Sequence, residues 1–242
     1  MQTVDIRSVP ARILFINGSP DKQDRTEGLL QRAIEGARSL GNVDVQVYDF
    51  LGKEMYPCKG CVEYCLKNTR CVSKDSLHEL IDEWLKADGV IWGMPVYSFG
   101  TPVQVRSFID RFGEQIFQSR WQERLPWWRF AKPVGTILEG SDQHGGLEFE
   151  ALGLISHYIL INAFHVPGDS LRSSSGVIGR YADGETLADQ PQVLQEAYRL
   201  GVRVVETAKL LLTGKYALAS SLPDVYWCSK EDYKRAARPV AD

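Results

Sequence analysis

Four cysteines stand close together, spaced Cys58-x2-Cys61-x3-Cys65-x5-Cys71. An apolar core has no need of so many thiols in so short a segment, whereas four thiolates this near in sequence can converge on one metal centre. Short intervals across a single loop suit a [4Fe-4S] cluster, as in the compact ferredoxin runs. Zinc more often takes two separated CxxC knuckles, and Cys65-x5-Cys71 makes a poor second one. Zinc and metal-free thiols stay open as alternatives. A dithiol exchanging disulfides would open a helix directly after a strand, but Cys58-Lys59-Gly60-Cys61 lies in a stretch without period.

Three further segments combine glycine with hydroxyl or planar side chains. Asn17-Gly18-Ser19-Pro20 leads to Arg25, Thr26 and a helical pattern. Gly18 permits a sharp turn, Ser19 and Thr26 offer hydroxyls, and a helix N-terminus offers free N–H groups to a phosphate. The segment is neither GxxxxGK[ST] nor GxGxxG, and a plain βα turn with Thr26 as N-cap is the alternative. Met94-Pro95-Val96-Tyr97-Ser98-Phe99-Gly100-Thr101-Pro102 is stiffened by two prolines and can hold a planar ring with backbone amides and aromatic surfaces. Glu139-Gly140-Ser141-Asp142-Gln143-His144-Gly145-Gly146 lets backbone approach a ligand closely. Each alone reads as a surface turn; three on one sheet edge point to a phosphorylated redox cofactor.

The elements that must position these loops alternate. Apolar runs at Ile13 to Ile16, Val43 to Val47, Gly89 to Met94, Val134 to Leu138 and Phe164 to Val166 read as five strands. Helical stripes separate and follow them, at Leu29 to Leu40, Leu77 to Leu85, Val105 to Ile116, Leu147 to Tyr158 and Val193 to Leu211. Such alternation predicts a parallel sheet covered on both faces, with ligands beyond the carboxyl ends of the strands. Pro, Gly and Ser between Pro167 and Gly184 predict a mobile loop. Residues 1–242 are expected to form one domain, with 56–74 a cysteine-rich insertion and 215–242 a C-terminal tail.

The chain has 242 residues, 44% of them hydrophobic, enough for a full core, and a net charge of −3 argues against a nucleic-acid surface. No apolar run is long enough for a membrane span. The start MQTVDIRSVPARILF carries no secretory pattern, so a reducing cytoplasm is expected, where thiols serve metal or redox chemistry. Cys228 reads as an ordinary free thiol. Trp121, Trp127, Trp128 and Phe130 read as core or subunit-interface packing, with an aromatic lid as the sharper alternative. His78, His157 and His165 read as structural, and Asp110 with Arg111 as a helix-face ion pair. No Ser-His-Asp order accompanies a nucleophile elbow, so hydrolase chemistry is unsupported.

The segments GSPDKQDRT, GMPVYSFGTPVQVRSFIDRF and HGGLE, in that order, resemble the NADPH-dependent FMN reductase family of the flavodoxin-like superfamily, over roughly Arg12 to Leu212. PCKGCVEYCLKNTRCVSKD is similar to its iron–sulfur flavoprotein branch. That branch usually has two residues between its second and third cysteines, where this chain has three, and the phosphate loop here lacks the usual glycine-rich stretch. The resemblance implies a doubly wound five-stranded sheet of order 2-1-3-4-5, with the cysteine insertion after strand 2. It implies FMN, NAD(P)H as electron donor, a [4Fe-4S] cluster and a homodimer or homotetramer. By position, Ser19, Arg25 and Thr26 would hold the FMN phosphate. Pro95, Val96, Tyr97, Ser98 and Gly100 would line the ribityl chain and ring, and Ser141, His144, Gly145 and Gly146 would close over it. Cys58, Cys61, Cys65 and Cys71 would be the cluster ligands. The expected activity is electron transfer from NAD(P)H through FMN to a small-molecule acceptor, with no catalytic side chain. An electron-transfer flavoprotein served by ferredoxin and a redox sensor without turnover are the competing readings.

Overall fold

The computed structural model describes residues 4–21, 24–68, 70–121, 131–141, 146–218 and 221; the side chains of residues 24 and 117–121 fall outside that description. The strands are β1 (Ala11–Asn17), β2 (Val43–Asp49), β3 (Gly89–Pro95), β4 (Pro133–Ser141), β5 (Phe164–His165) and β6 (Val177–Tyr181). The helices are α1 (Asp24–Arg38), α2 (Val62–Lys67), α3 (Leu77–Lys86), α4 (Val103–Trp121), α5 (Leu147–Leu160) and α6 (Pro191–Ala217).

The sheet is parallel throughout and runs β2-β1-β3-β4-β5. Its central strand β3 is buried along its whole length, as a parallel strand covered on both faces must be. Alternation along β1 sends Ile13 and Phe15 to one core and Leu14 and Ile16 to the other. On the first face α1 contributes Leu29, Leu30, Ala33 and Ala37, and α6 contributes Ala197, Leu200 and Val204. On the second, Trp84 of α3 and Phe108 and Phe112 of α4 gather around Trp92, with ring centroids 5.0 to 6.0 Å apart. Buried Lys132 donates to the carbonyls of Trp84 and Ala87, a cation at the C-terminus of α3. Helices α1 and α6 cross at backbone contact: a Cβ on Gly201 would lie 1.9 Å from the Ala33 carbonyl oxygen, and one on Gly36 1.9 Å from that of Tyr198.

The expected strand order holds, and two expectations are corrected. The fifth sheet position is shared, because the early part of β4 pairs with β5 and Ile137 to Ser141 pair with β6. The expected loop from Pro167 to Gly184 therefore holds strand β6, preceded by a 3-10 turn at Leu171–Ser173. Gly176 (φ 120°) brings the chain back to β4 so closely that a Cβ there would stand 2.8 Å from the Thr136 carbonyl oxygen. Within the cysteine segment Cys58 to Cys61 is irregular and α2 follows it. The last helix continues to Ala217. Among the described residues no helix is long and apolar enough to cross a membrane.

Candidate functional site

The turn after β1 is held by local hydrogen bonds. The Ser19 N–H donates to Asn17 Oδ1 at 3.0 Å, and Ser19 Oγ donates to the Asp21 carbonyl at 2.8 Å. The Gly18 N–H donates to the Gly93 carbonyl at 2.7 Å, and a Cβ on Gly18 would stand 2.7 Å from Val105 Cγ2, so glycine alone lets the turn sit this deep. Thr26, in the first turn of α1, is fully buried, and its Oγ1 lies 3.1 Å from Glu139 Oε1. The Arg25 guanidinium stacks 4.4 Å above the Tyr181 ring and donates to the Glu185 carbonyl at 2.7 Å. The segment from Tyr181 to Leu187 thus closes on the start of α1, where Gly28 leaves no room for a Cβ beside Leu187.

Pro95, which ends β3, is buried, and the Val96 N–H donates to the Glu139 carbonyl at 2.9 Å. Tyr97 and Gly100 exchange backbone hydrogen bonds of 2.9 and 3.0 Å. Between them Ser98 (φ 49°) and Phe99 (φ 64°) both adopt left-handed backbone, a two-residue reversal that non-glycine residues disfavour by about 1–2 kcal/mol each. Strain of this kind gathers at binding sites. The turn leaves Tyr97 and Phe99 half-exposed. Phe99 lies over Gly146, where a Cβ would be 2.5 Å from its ring, and meets Phe149 edge-on at 6.3 Å. Gly146 (φ 96°) precedes α5, and Ser141 ends β4 beside Tyr181. Hence the turn after β1, the turn after β3, the end of β4 and Gly146 before α5 gather at the carboxyl ends of the strands. Expected site residues His144 and Gly145 lie outside the described residues, as do Trp127, Trp128, Phe130 and Cys228 and the side chain of Trp121.

Glu139 is the site residue that sequence reasoning missed. It is 3% exposed at the end of β4. Burial pushes its carboxyl above the ordinary value, while the Thr26 hydrogen bond and the Arg25 charge pull it back. The signal was a carboxylate closing an otherwise apolar strand, VGTILEGS. Tyr181 Oη, within electrostatic reach of Glu139, and Thr101 Oγ1, beyond the turn after β3, are buried without hydrogen-bond partners. Orphaned hydroxyls, a glycine-tight turn and a helix start suit a polar phosphorylated ligand such as FMN.

The cysteine segment lies beyond β2. Cys58 is exposed, Cys61 and Cys71 are partly buried, and Cys65 is buried on α2. Burial, and then Cys61, Cys71, Glu114 and Cys58, push the Cys65 thiol up to about 11, so the other three thiols each stand within electrostatic reach of Cys65. Gly60, Cys61, Val62, Glu63, Tyr64 and Lys67 line a cleft of about 530 Å³. The expected Asp110–Arg111 ion pair is corrected: adjacent positions on a helix do not face each other. Asp110 pairs with Arg106 at 2.7 Å, and Arg111, with a side chain 2% exposed, pairs with fully buried Asp75. Arg111 Nη2 also donates to Cys71 Sγ at 3.3 Å, and Arg111 Nη1 to the Tyr56 carbonyl at 2.9 Å. The Cys71 N–H donates to Gln115 Oε1 at 3.0 Å.

Among the described residues no group of three or more His, Cys, Asp or Glu is placed to hold a single metal ion. Four thiolates around one zinc would need Zn–S of about 2.3 Å. A [4Fe-4S] cluster spreads its ligands wider. The all-thiol donor set, with a guanidinium at Cys71 and a buried Arg111 Nε that has no partner, suits such an anionic centre. His78 and His157 have structural settings: one ring nitrogen of His78 meets the Cys71 carbonyl at 3.1 Å, and His157 is buried beside Phe112. His165 meets the Ser174 carbonyl at 2.9 Å.

Comparison with known proteins agrees with this geometry. Residues 11–176 match the model of the NADPH-dependent FMN reductase family. The chain is 28% identical over 202 residues to an iron-sulfur flavoprotein of Methanocaldococcus jannaschii, covering 83% of this chain and 98% of that one. It is 30% identical over 165 residues to an iron-sulfur flavoprotein of Archaeoglobus fulgidus, covering 68% and 80%. In fold it is similar to an NAD(P)H:quinone oxidoreductase from Methanothermobacter marburgensis, with a TM-score of 0.57, 14% identity and coverage of 80% and 95%. A parallel sheet of this order, a glycine-tight turn at its switch point and a matching family model over most of the chain lead to one conclusion: the chain belongs to the NADPH-dependent FMN reductase family, as an FMN-dependent oxidoreductase related to the iron–sulfur flavoproteins.

Proposed function

We propose that the chain takes electrons from NAD(P)H and passes them to a small-molecule acceptor, with an iron–sulfur cluster on Cys58, Cys61, Cys65 and Cys71. When bound, FMN accepts electrons in a pair and releases them singly or in a pair, and a cluster exchanges them singly. Ser19 and Thr26 present hydroxyls to the phosphate, Arg25 its charge, and α1 its N-terminal N–H groups. Pro95, Val96, Tyr97, Ser98 and Gly100 form the ring-side wall. Ser141 and Gly146, with His144 and Gly145, are assigned to close over the ring. No side chain need serve as nucleophile or general base; the chain binds, orients and excludes water.

The observation that carries this reading is Glu139 beside the β1/β3 switch point: its carboxylate takes the Thr26 hydroxyl of the α1 start, and its carbonyl takes the Val96 N–H that opens the Tyr97–Gly100 turn. Spectra of anaerobically purified protein, with flavin and iron assayed on the same sample, test it. Flavin plus iron is expected; protein that takes up no FMN would overturn it. Exposed Cys58 brings the thiol segment to the surface and favours a second reading, in which a carrier such as ferredoxin reduces the protein. Stopped-flow mixing with NADPH separates the two, since flavin bleaching over many minutes would exclude the first.

The apolar outer face of α5 supports a homodimer or homotetramer: Phe149, Leu152 and Ile159 are 71%, 58% and 67% exposed. The same reading takes residues 1–242 as one domain with 56–74 inserted, working in a reducing cytoplasm.

A further inference from the structure

Thr26 has one hydroxyl proton to give, and two acceptors would claim it. One is Glu139 Oε1 at 3.1 Å. The other, on the reading that Ser19, Arg25 and Thr26 hold the FMN phosphate, is a phosphate oxygen. A phosphate carries almost two negative charges at neutral pH, because its second pKa is about 6, and it is then an acceptor only. With Glu139 ionised, two anionic acceptors would compete for one proton across a buried hydroxyl. The groups around Glu139 offer little compensation. From α1 comes Arg25, the cation acting on it, together with Thr26. From the loop after β3 comes Tyr97, which also feels Asp21, and from β6 comes Tyr181, which also feels Glu185. Both tyrosines are neutral in the ordinary range, and Glu139 itself is 3% exposed, so water cannot screen it.

We propose that FMN binding carries one proton onto Glu139. Protonated Glu139 donates to Thr26 Oγ1, and the Thr26 hydroxyl is released to donate to the phosphate. The proton comes from solvent, and no covalent bond to FMN forms or breaks. Glu139 is thus a positioning residue: it acts through Thr26 and makes phosphate recognition depend on pH.

The test is FMN titration of the apoprotein by calorimetry, in two buffers of different ionisation enthalpy, from about pH 7 to about pH 9. Wild type is expected to take up about one proton per FMN, and its FMN affinity to fall about tenfold per pH unit once Glu139 of the apoprotein is ionised. Riboflavin, which lacks the phosphate, should bind without that slope. In Glu139→Gln the amide donates to Thr26 at every pH, so uptake and slope should both vanish while FMN still binds. FMN binding tighter than riboflavin but without proton uptake in wild type would overturn the proposal and leave the phosphate site standing. Uptake retained in Glu139→Gln would overturn it too, by placing the proton on the phosphate. Equal affinity for FMN and riboflavin would overturn both the proposal and the phosphate-site reading.

Discussion

Replacing Arg111 by methionine should cost a large part of the stability of the chain. The guanidinium reaches Asp75 through two contacts, of 2.5 and 2.9 Å, and both side chains are essentially sealed from water. It also serves the Tyr56 carbonyl at 2.9 Å and Cys71 Sγ at 3.3 Å. Removing one partner of a buried pair leaves the other as an uncompensated charge, at a cost of about 3–5 kcal/mol. Set against the roughly 5–15 kcal/mol of a whole domain, this is a major fraction. Lysine should rescue little, since a point charge cannot reproduce a fork that serves both Asp75 oxygens, the Tyr56 carbonyl and the sulfurs of Cys71 and Met55 at once. The double variant Arg111→Met/Asp75→Asn should lose less than Arg111→Met alone, because the stranded charge is gone. Urea unfolding with a double-mutant cycle reads both quantities. Burial opposes ionisation of Asp75, but hydrogen bonds from Arg111, Tyr56 and Leu77 and the Arg111 charge prevail and hold its carboxyl below the ordinary 3.8. Its contribution is therefore complete above that value and lost as pH falls through the lower folded value. A loss below about 1 kcal/mol in Arg111→Met, or no coupling between the two sites, would refute the reasoning.

Three further outcomes are expected. Thr26→Ala should weaken FMN binding about tenfold with little effect on riboflavin, measured by flavin fluorescence; unchanged FMN affinity removes Thr26 from the site. Gly201→Ala should force α6 off the Ala33 carbonyl and lower stability by about 1–3 kcal/mol, seen as a fall of several degrees in Tm. A wild-type Tm would mean the helices do not cross as described. Burial pushes Glu150 up from 4.5 to about 7, so over that window unfolding releases a proton and stability falls as pH rises. His157, pushed down by burial from 6.5 to about 4, has the opposite slope, since unfolding takes a proton up. Glu150→Gln should therefore gain stability more steeply than wild type from about pH 5 to about pH 6.5. Parallel urea-midpoint profiles for the two would contradict this.

What the sequence determined by itself was local and periodic. Apolar runs such as Ile13 to Ile16 and Gly89 to Met94, set between glycine-bearing turns and amphipathic stripes, read as strands buried on both faces, and the stripe from Leu29 to Leu40 as a helix that covers them. The turn around Gly18, the stiff segment after Met94 and the four cysteines were legible for the same reason, since their residue types and spacing carry their own chemistry. The tertiary structure decided what depends on distant partners. Neighbours in sequence, Asp110 and Arg111 point different ways on α4, so Arg111 is free to seize Asp75 and Cys71. β6 did not declare itself because VIGRY breaks its apolar residues with glycine and arginine inside a Gly- and Ser-rich stretch, and it forms by pairing with Ile137 to Ser141 of β4. Arg25 meets Tyr181 and Glu185 only after that strand is laid down, and Glu139 meets Thr26 only because β4 ends beside the start of α1. Periodicity records which face of an element is buried; it holds no record of which distant polar group will be waiting there.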